Sequence, residues 1–108
     1  MAGCRPVLDG GVLLAVASTL MRGCRVAVRG AGVACRWRVF VECEGGYIRA
    51  CLDDAGLYLL MRSGDCVARC GPGGCRLVHG DPLGCGRVLR AAEAAYSGVV
   101  GGAEAREA

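Results

Sequence analysis

From Arg25 to His79 apolar residues alternate with arginines, and short glycine-rich turn sequences interrupt the alternation at close intervals. Period two is the mark of a half-buried strand, and turn chemistry between such runs makes antiparallel hairpins. With Gly45-Gly46 as a two-residue turn, Glu42 falls opposite Arg49 and Arg38 opposite Asp53. On the other face Cys43 then meets Ile48, Val41 meets Ala50 and Val39 meets Leu52. A slip of one residue would turn a whole strand inside out, so agreement between charge pairing and apolar pattern is a register argument.

Six strands are expected at about residues 24–29, 33–43, 47–53, 57–62, 65–70 and 75–79. Gly30-Ala31-Gly32, Gly45-Gly46, Asp54-Ala55-Gly56, Ser63-Gly64 and Gly71-Pro72-Gly73-Gly74 supply the turns, with Pro72-Gly73 suited to the centre of a type II turn. Connections this short exclude parallel crossovers and predict an up-and-down sheet. Asp9 reads as the N-cap of a helix running to about Arg22, with Gly23 beyond its end. Asp81-Pro82 opens a second helix, whose apolar stripe includes Cys85, Val88, Ala92 and Val99.

Continuing the registers gives one apolar sheet face, including Val28, Val33, Cys35, Trp37, Cys66, Cys70, Cys75 and His79, which both helices must cover. The expected fold is therefore α+β: a two-layer, six-stranded antiparallel β-meander with an N-terminal and a C-terminal helix packed on one face. Residues 1–100 form a single domain, and residues 101–108 have nothing to pack against and should fray.

All thirteen basic residues are Arg, and Lys, Asn and Gln are absent. GC-rich coding accounts for this bias, and missing thermolabile amides suggest a thermophile source. Gly11–Ala17 behind Arg5 faintly resembles the apolar region of a signal peptide, but Asp9 adjoins it and the run is too short to span a bilayer. The expectation is a cytoplasmic protein with no membrane partner.

Nine cysteines in 108 residues is a high count, and an odd one, which argues against a fully paired secreted framework. Intracellular proteins of hyperthermophiles are the exception in which disulfides are common. Cys66, Cys70, Cys75 and His79 are zinc-ligand types, but the expected hairpin sets the Cys66/His79 and Cys70/Cys75 pairs roughly 13 Å apart, too far for one ion. Recruiting Cys85 to one pair would be needed. The simpler readings are buried thiols and a cross-strand disulfide between Cys70 and Cys75. Neither metal nor cofactor is expected. Cys51, on the arginine face, should be the most reactive strand thiol.

Catalytic constellations are thin. The chain has one His, three Ser and one Thr, and lacks a phosphate-binding loop with its lysine. A Cys66–His79 dyad lacks a third orienting group. An enzyme depending on cysteine, histidine or a metal is only the third reading.

The outward face is the candidate site. It gathers Arg25, Arg36, Arg38, Arg49, Arg62, Arg69 and Arg76, with Arg29 beside them, among Phe40, Tyr47 and Tyr58. The expected registers oppose Arg25 to Arg36, Arg69 to Arg76, Tyr58 to Arg69 and Tyr47 to Arg62. Like charges across a ladder repel unless an anion lies between them, and the aromatic rings offer stacking planes. The function expected is thus a small non-enzymatic protein binding nucleic acid, single-stranded or RNA, on this face. The alternative is a structural or adaptor subunit docking an acidic partner or a second copy of itself.

Overall fold

The computed structural model describes residues 8–107, with side chains through residue 100. Asp9 opens α1 (Gly10–Leu20), its Oδ1 accepting from the Gly11 N–H at 2.9 Å and so satisfying one first-turn donor. The helix stops at Met21, which is extended but still donates to the Ala17 carbonyl. Gly23 is left-handed, with φ +65°, yet it does not end the helix. It lies inside β1 (Arg22–Gly30), at a register irregularity between Arg22 and Arg25, where the positive φ serves a bulge.

β2 (Trp37–Glu44), β3 (Gly46–Asp53), β4 (Gly56–Ser63), β5 (Cys66–Gly71) and β6 (Gly74–His79) follow, and α2 (Gly86–Glu107) closes the described chain. The strands form one sheet in the order β1-β2-β3-β4-β5-β6, every pair antiparallel. This is the α+β meander expected from the alternation. α1 packs mainly on β1 and β2, α2 on β4–β6, and the helices touch each other. Between the layers, Val41, Ile48, Met61 and Ala68 form one buried row across the strands, and Val39, Ala50, Leu59 and Cys70 form the next. Leu13 and Ala17 of α1 and Ala92, Ala95 and Val99 of α2 close over them. Each large apolar side chain so buried contributes about 1.5–3 kcal/mol.

The registers differ from expectation in an instructive way. Cys43 pairs with Gly46, so Glu44 and Gly45 make the β2–β3 turn, and Gly45 alone takes a positive φ of 86°. Arg38 therefore faces Cys51 rather than Asp53, and Glu42 faces Tyr47 rather than Arg49. Gly46 is glycine for packing: a Cβ there would run into the Arg62 carbonyl and the Met21 sulfur. Tyr58 likewise lies across from Gly71, two residues from its expected partner Arg69. At the last hairpin Gly71 pairs with Gly74, and the positive φ falls on Gly74 rather than Gly73, so the loop is not a type II turn.

Four expectations on the apolar face, Val28, Val33, Cys35 and His79, fail where parity breaks or strand gives way to loop. A bulge between Val26 and Val28 turns Val28 outward beside Phe40 and carries Arg29 into line with the inward Val39. Residues 31–36 are loop rather than strand, which leaves Val33 fully exposed. A second irregularity pairs His79 with the outward-facing Val67, so His79 is exposed rather than in the core. Asp81 caps a turn, not α2 itself: its Oδ2 accepts from Gly84 N–H and its carbonyl from Cys85 N–H, and the helix starts at Gly86. The α2 backbone continues to Glu107, and the side chains of residues 101–108, the tail expected to fray, lie outside the described residues.

The two glycine roles separate experimentally. Gly46→Ala should lower stability by about 1–3 kcal/mol, because the added methyl meets strand backbone. Gly73→Ala, with nothing near its Cβ position and no positive φ, should be neutral or stabilising by up to about 1 kcal/mol. Thermal unfolding of both variants checks the contrast.

Candidate nucleic-acid interface

Away from the helices, the ladder sorts the outward residues into rows running across the strands. One row reads Arg25, Glu42, Tyr47, Arg62, Val67 and His79. The next reads Val28, Phe40, Arg49, Leu60, Arg69 and Arg76, and the third includes Arg38, Cys51 and Tyr58. Neighbouring strands lie about 4.8 Å apart, so Arg69 and Arg76 stand side by side and Arg49 lies roughly 10 Å from Arg69.

Tyr47 faces Arg62, and Arg69 faces Arg76, as expected. The Arg25/Arg36 opposition does not form. Arg25 faces Glu42 and bonds it, Nη2 to Oε2 at 3.4 Å, while Arg36 sits in the loop before β2 with its Nε 3.5 Å from Asp54 Oδ1. Those are the ion pairs among the described residues. Both are largely exposed and contribute little to stability. Arg62 donates from Nε to the Gly64 carbonyl at 3.1 Å. Arg38, Arg49, Arg62, Arg69 and Arg76 thus keep their charge without a carboxylate partner among the described residues.

Six of the ten candidate residues converge. Arg38, Phe40, Tyr47, Arg49, Tyr58 and Arg69 line one open hollow of about 640 Å³ with no acidic side chain in its wall. The Phe40 and Tyr47 ring centroids are 5.8 Å apart with planes inclined at 47°. Arg76 joins Arg69 and Tyr58 around a second, smaller hollow at the Gly71–Gly74 loop. Gly71 matters here, because a Cβ on it would press on the Tyr58 ring at 3.2 Å. Behind this face the Tyr96 hydroxyl of α2 donates to the Leu57 carbonyl at 2.9 Å. Burial chiefly, and nearby Tyr58 in addition, push the Tyr96 phenol above its usual range, so it remains a neutral donor.

Val28, Leu60, Ala34 and the Cys35–Cys51 bridge also line the main hollow, and none was a candidate. Leu60 was detectable, since a residue next to the inward Leu59 must point outward. Val28 was not, because the bulge that turns it leaves no mark in the composition.

Eight of the nine cysteines pair: Cys24–Cys43, Cys35–Cys51, Cys66–Cys85 and Cys70–Cys75. The cross-strand Cys70–Cys75 bridge was anticipated. Cys51 is not a reactive thiol, because Cys35, in the loop rather than in the core, reaches over the outward face to bond it. Cys66 bonds Cys85 and does not face His79. No group of three or more potential metal ligands occurs among the described residues. Nor is any described helix long and apolar enough to cross a membrane. Cys4 lies outside the described residues.

Compared with known protein families, curated proteins and solved structures, the chain matches none.

Two outcomes check this geometry. Alkylation of the unreduced, denatured protein should label Cys4 at most, and reduction should expose all nine thiols to mass spectrometry. Arg76→Glu should stabilise the fold by up to about 1 kcal/mol by turning a like-charged cross-strand pair into an attractive one. Arg62→Glu should not, since its cross-strand neighbours are Tyr47 and Val67.

Proposed function

We propose that this is a small, non-enzymatic binding protein that takes single-stranded nucleic acid on its exposed sheet face. The observation that carries the reading is the main hollow, where three aromatic rings and three arginines share one wall free of carboxylates. Aromatic faces stack bases of any sequence, and guanidiniums bind phosphate with two donors and also stack on rings. A binding role rather than catalysis is supported by the disulfide pairing of the cysteines and by the register, which sets His79 across from Val67 rather than from a cysteine. Four disulfides favour a setting in which thiols stay oxidised, either an oxidising compartment or the interior of a hyperthermophile.

A second reading has its own observation. Val28, Phe40 and Leu60 lie in the same row as Arg49 and Arg69, so the centre of the face is as apolar as it is basic. An acidic protein partner, or a second copy of the chain, would use both characters.

Fluorescence anisotropy with a labelled single-stranded oligonucleotide separates the two. Five arginines without carboxylate partners, neutralising a phosphate each, imply a slope of about −3.5 for log affinity against log salt. Affinity should then fall about a hundredfold between 50 and 200 mM salt. Arg49→Glu should weaken binding at least ~tenfold and reduce the slope by about one, whereas Arg36→Glu, at a residue already paired with Asp54, should do far less. Absence of salt-sensitive binding at 50 mM would remove the nucleic-acid reading in favour of the protein partner.

A further inference from the structure

The arginines of the central row are not evenly spread. Arg49 stands alone, flanked by Phe40 and Leu60, and the row then ends on Arg69 and Arg76 as direct partners of the β5–β6 ladder. β6 is the edge of the sheet, so among the described residues no strand continues that row beyond Arg76. Neither arginine has a carboxylate within ion-pair distance among the described residues. Two arginines rooted about one strand spacing apart on the same face concentrate positive charge, and both line the small hollow bounded by Tyr58 and the Gly71–Gly74 loop. Glycine at position 71 lets the Tyr58 ring lie against the end of β5, giving that hollow a flat aromatic wall.

A phosphodiester inside a strand carries a single negative charge, whereas a phosphomonoester carries about 1.5 to 2 and three acceptor oxygens. Two cross-strand arginines offer two forked, charged donors, which matches the monoester in charge and in acceptor count. We infer that Arg69 and Arg76 form a clamp for a phosphomonoester dianion, with Tyr58 as the stacking wall beside it. Resting on the function proposed above, the dianion is the terminal phosphate of the bound single strand. The strand then runs across the sheet, its phosphodiesters near Arg49 and its phosphorylated end at the edge strand. The protein would thereby prefer strand ends over internal segments.

The test compares three versions of one short oligonucleotide, identical but for the end group: a phosphate, the methyl ester of that phosphate, and a hydroxyl. Each is tried with the phosphate at the 5′ and at the 3′ end, and phenyl phosphate is titrated alone against Tyr58 by NMR. One phosphorylated end should bind at least ~tenfold tighter than its hydroxyl or methyl ester counterpart. Arg76→Gln and Arg69→Gln should each erase that preference while weak, salt-sensitive binding of the hydroxyl oligonucleotide persists. Arg87→Gln, exposed on the opposite layer, should leave all affinities unchanged and serves as the folded control. Salt-sensitive binding with no preference among the three ends would overturn the clamp and leave the nucleic-acid reading standing. Saturable binding of phenyl phosphate, lost in Arg76→Gln, with no oligonucleotide binding would support the clamp and overturn the nucleic-acid reading. If nothing binds, both fall.

Discussion

Backbone pairing in an antiparallel ladder assigns each residue to one side of the sheet, and almost every property of this molecule follows from that assignment. Inward positions carry Val39, Val41, Ile48, Leu59 and Met61, which two helices seal from water. Outward positions between them carry Arg38, Phe40, Arg49, Tyr58 and Arg62. Pairing registers can shift by two residues without disturbing this division, because side chains alternate with period two. A bulge, which adds one residue, reverses it locally. The sheet has such irregularities in β1 and β6, its two edge strands, where core packing constrains the chain least.

That distinction explains what could be read from the chain before its structure. Face membership of β2, β3 and β4 was legible, since a strand of alternating Val, Arg and Phe buries only one side. The partners across the ladder were less so. Gly45 and Gly46 look alike in a sequence, but one bends the turn while the other makes room for the Arg62 carbonyl, and confusing them moves the register by two. The Arg25/Arg36 opposition failed for a larger reason. Residues 31–36 alternate weakly, and their place is set by a bond from Cys35 to Cys51 on the arginine face, a tertiary contact with no local signature. Val28, Arg29 and His79 were misassigned together, each lying just past a bulge.

The disulfides brace what a thin two-layer fold holds weakly. Cys24–Cys43 and Cys70–Cys75 lock the first and last hairpins, the two that include edge strands. Cys66–Cys85 ties the turn before α2 to β5, where Gly84 in that turn and Gly86 at the helix start leave the backbone weakly constrained. Cys35–Cys51 holds an otherwise sparsely bonded loop against the sheet, and so builds one wall of the main hollow. Closing a loop of 16 to 19 residues lowers the entropy of the unfolded chain by about 3 kcal/mol in the chain-entropy description. The arginine face and the covalent framework are therefore not independent: one bridge belongs to both.

The electrostatic character of the face comes from where the acids are used rather than from the modest net charge of +3. Asp9 caps α1, Asp53 accepts from Ala55 and Gly56 at the β3–β4 turn, and Asp81 caps the turn before α2. Glu42 and Asp54 engage Arg25 and Arg36 at the margins of the sheet. Each carboxylate so occupied is one that cannot neutralise the middle of the face. Arg38, Arg49 and Arg69 consequently share a hollow with three aromatic rings and no counter-charge in its wall. Surfaces of mixed sign attract little over distance, but a cluster of one sign on a rigid sheet keeps its field out to about a Debye length. That field is centred on the sheet, at the hollow where the three rings and three arginines meet.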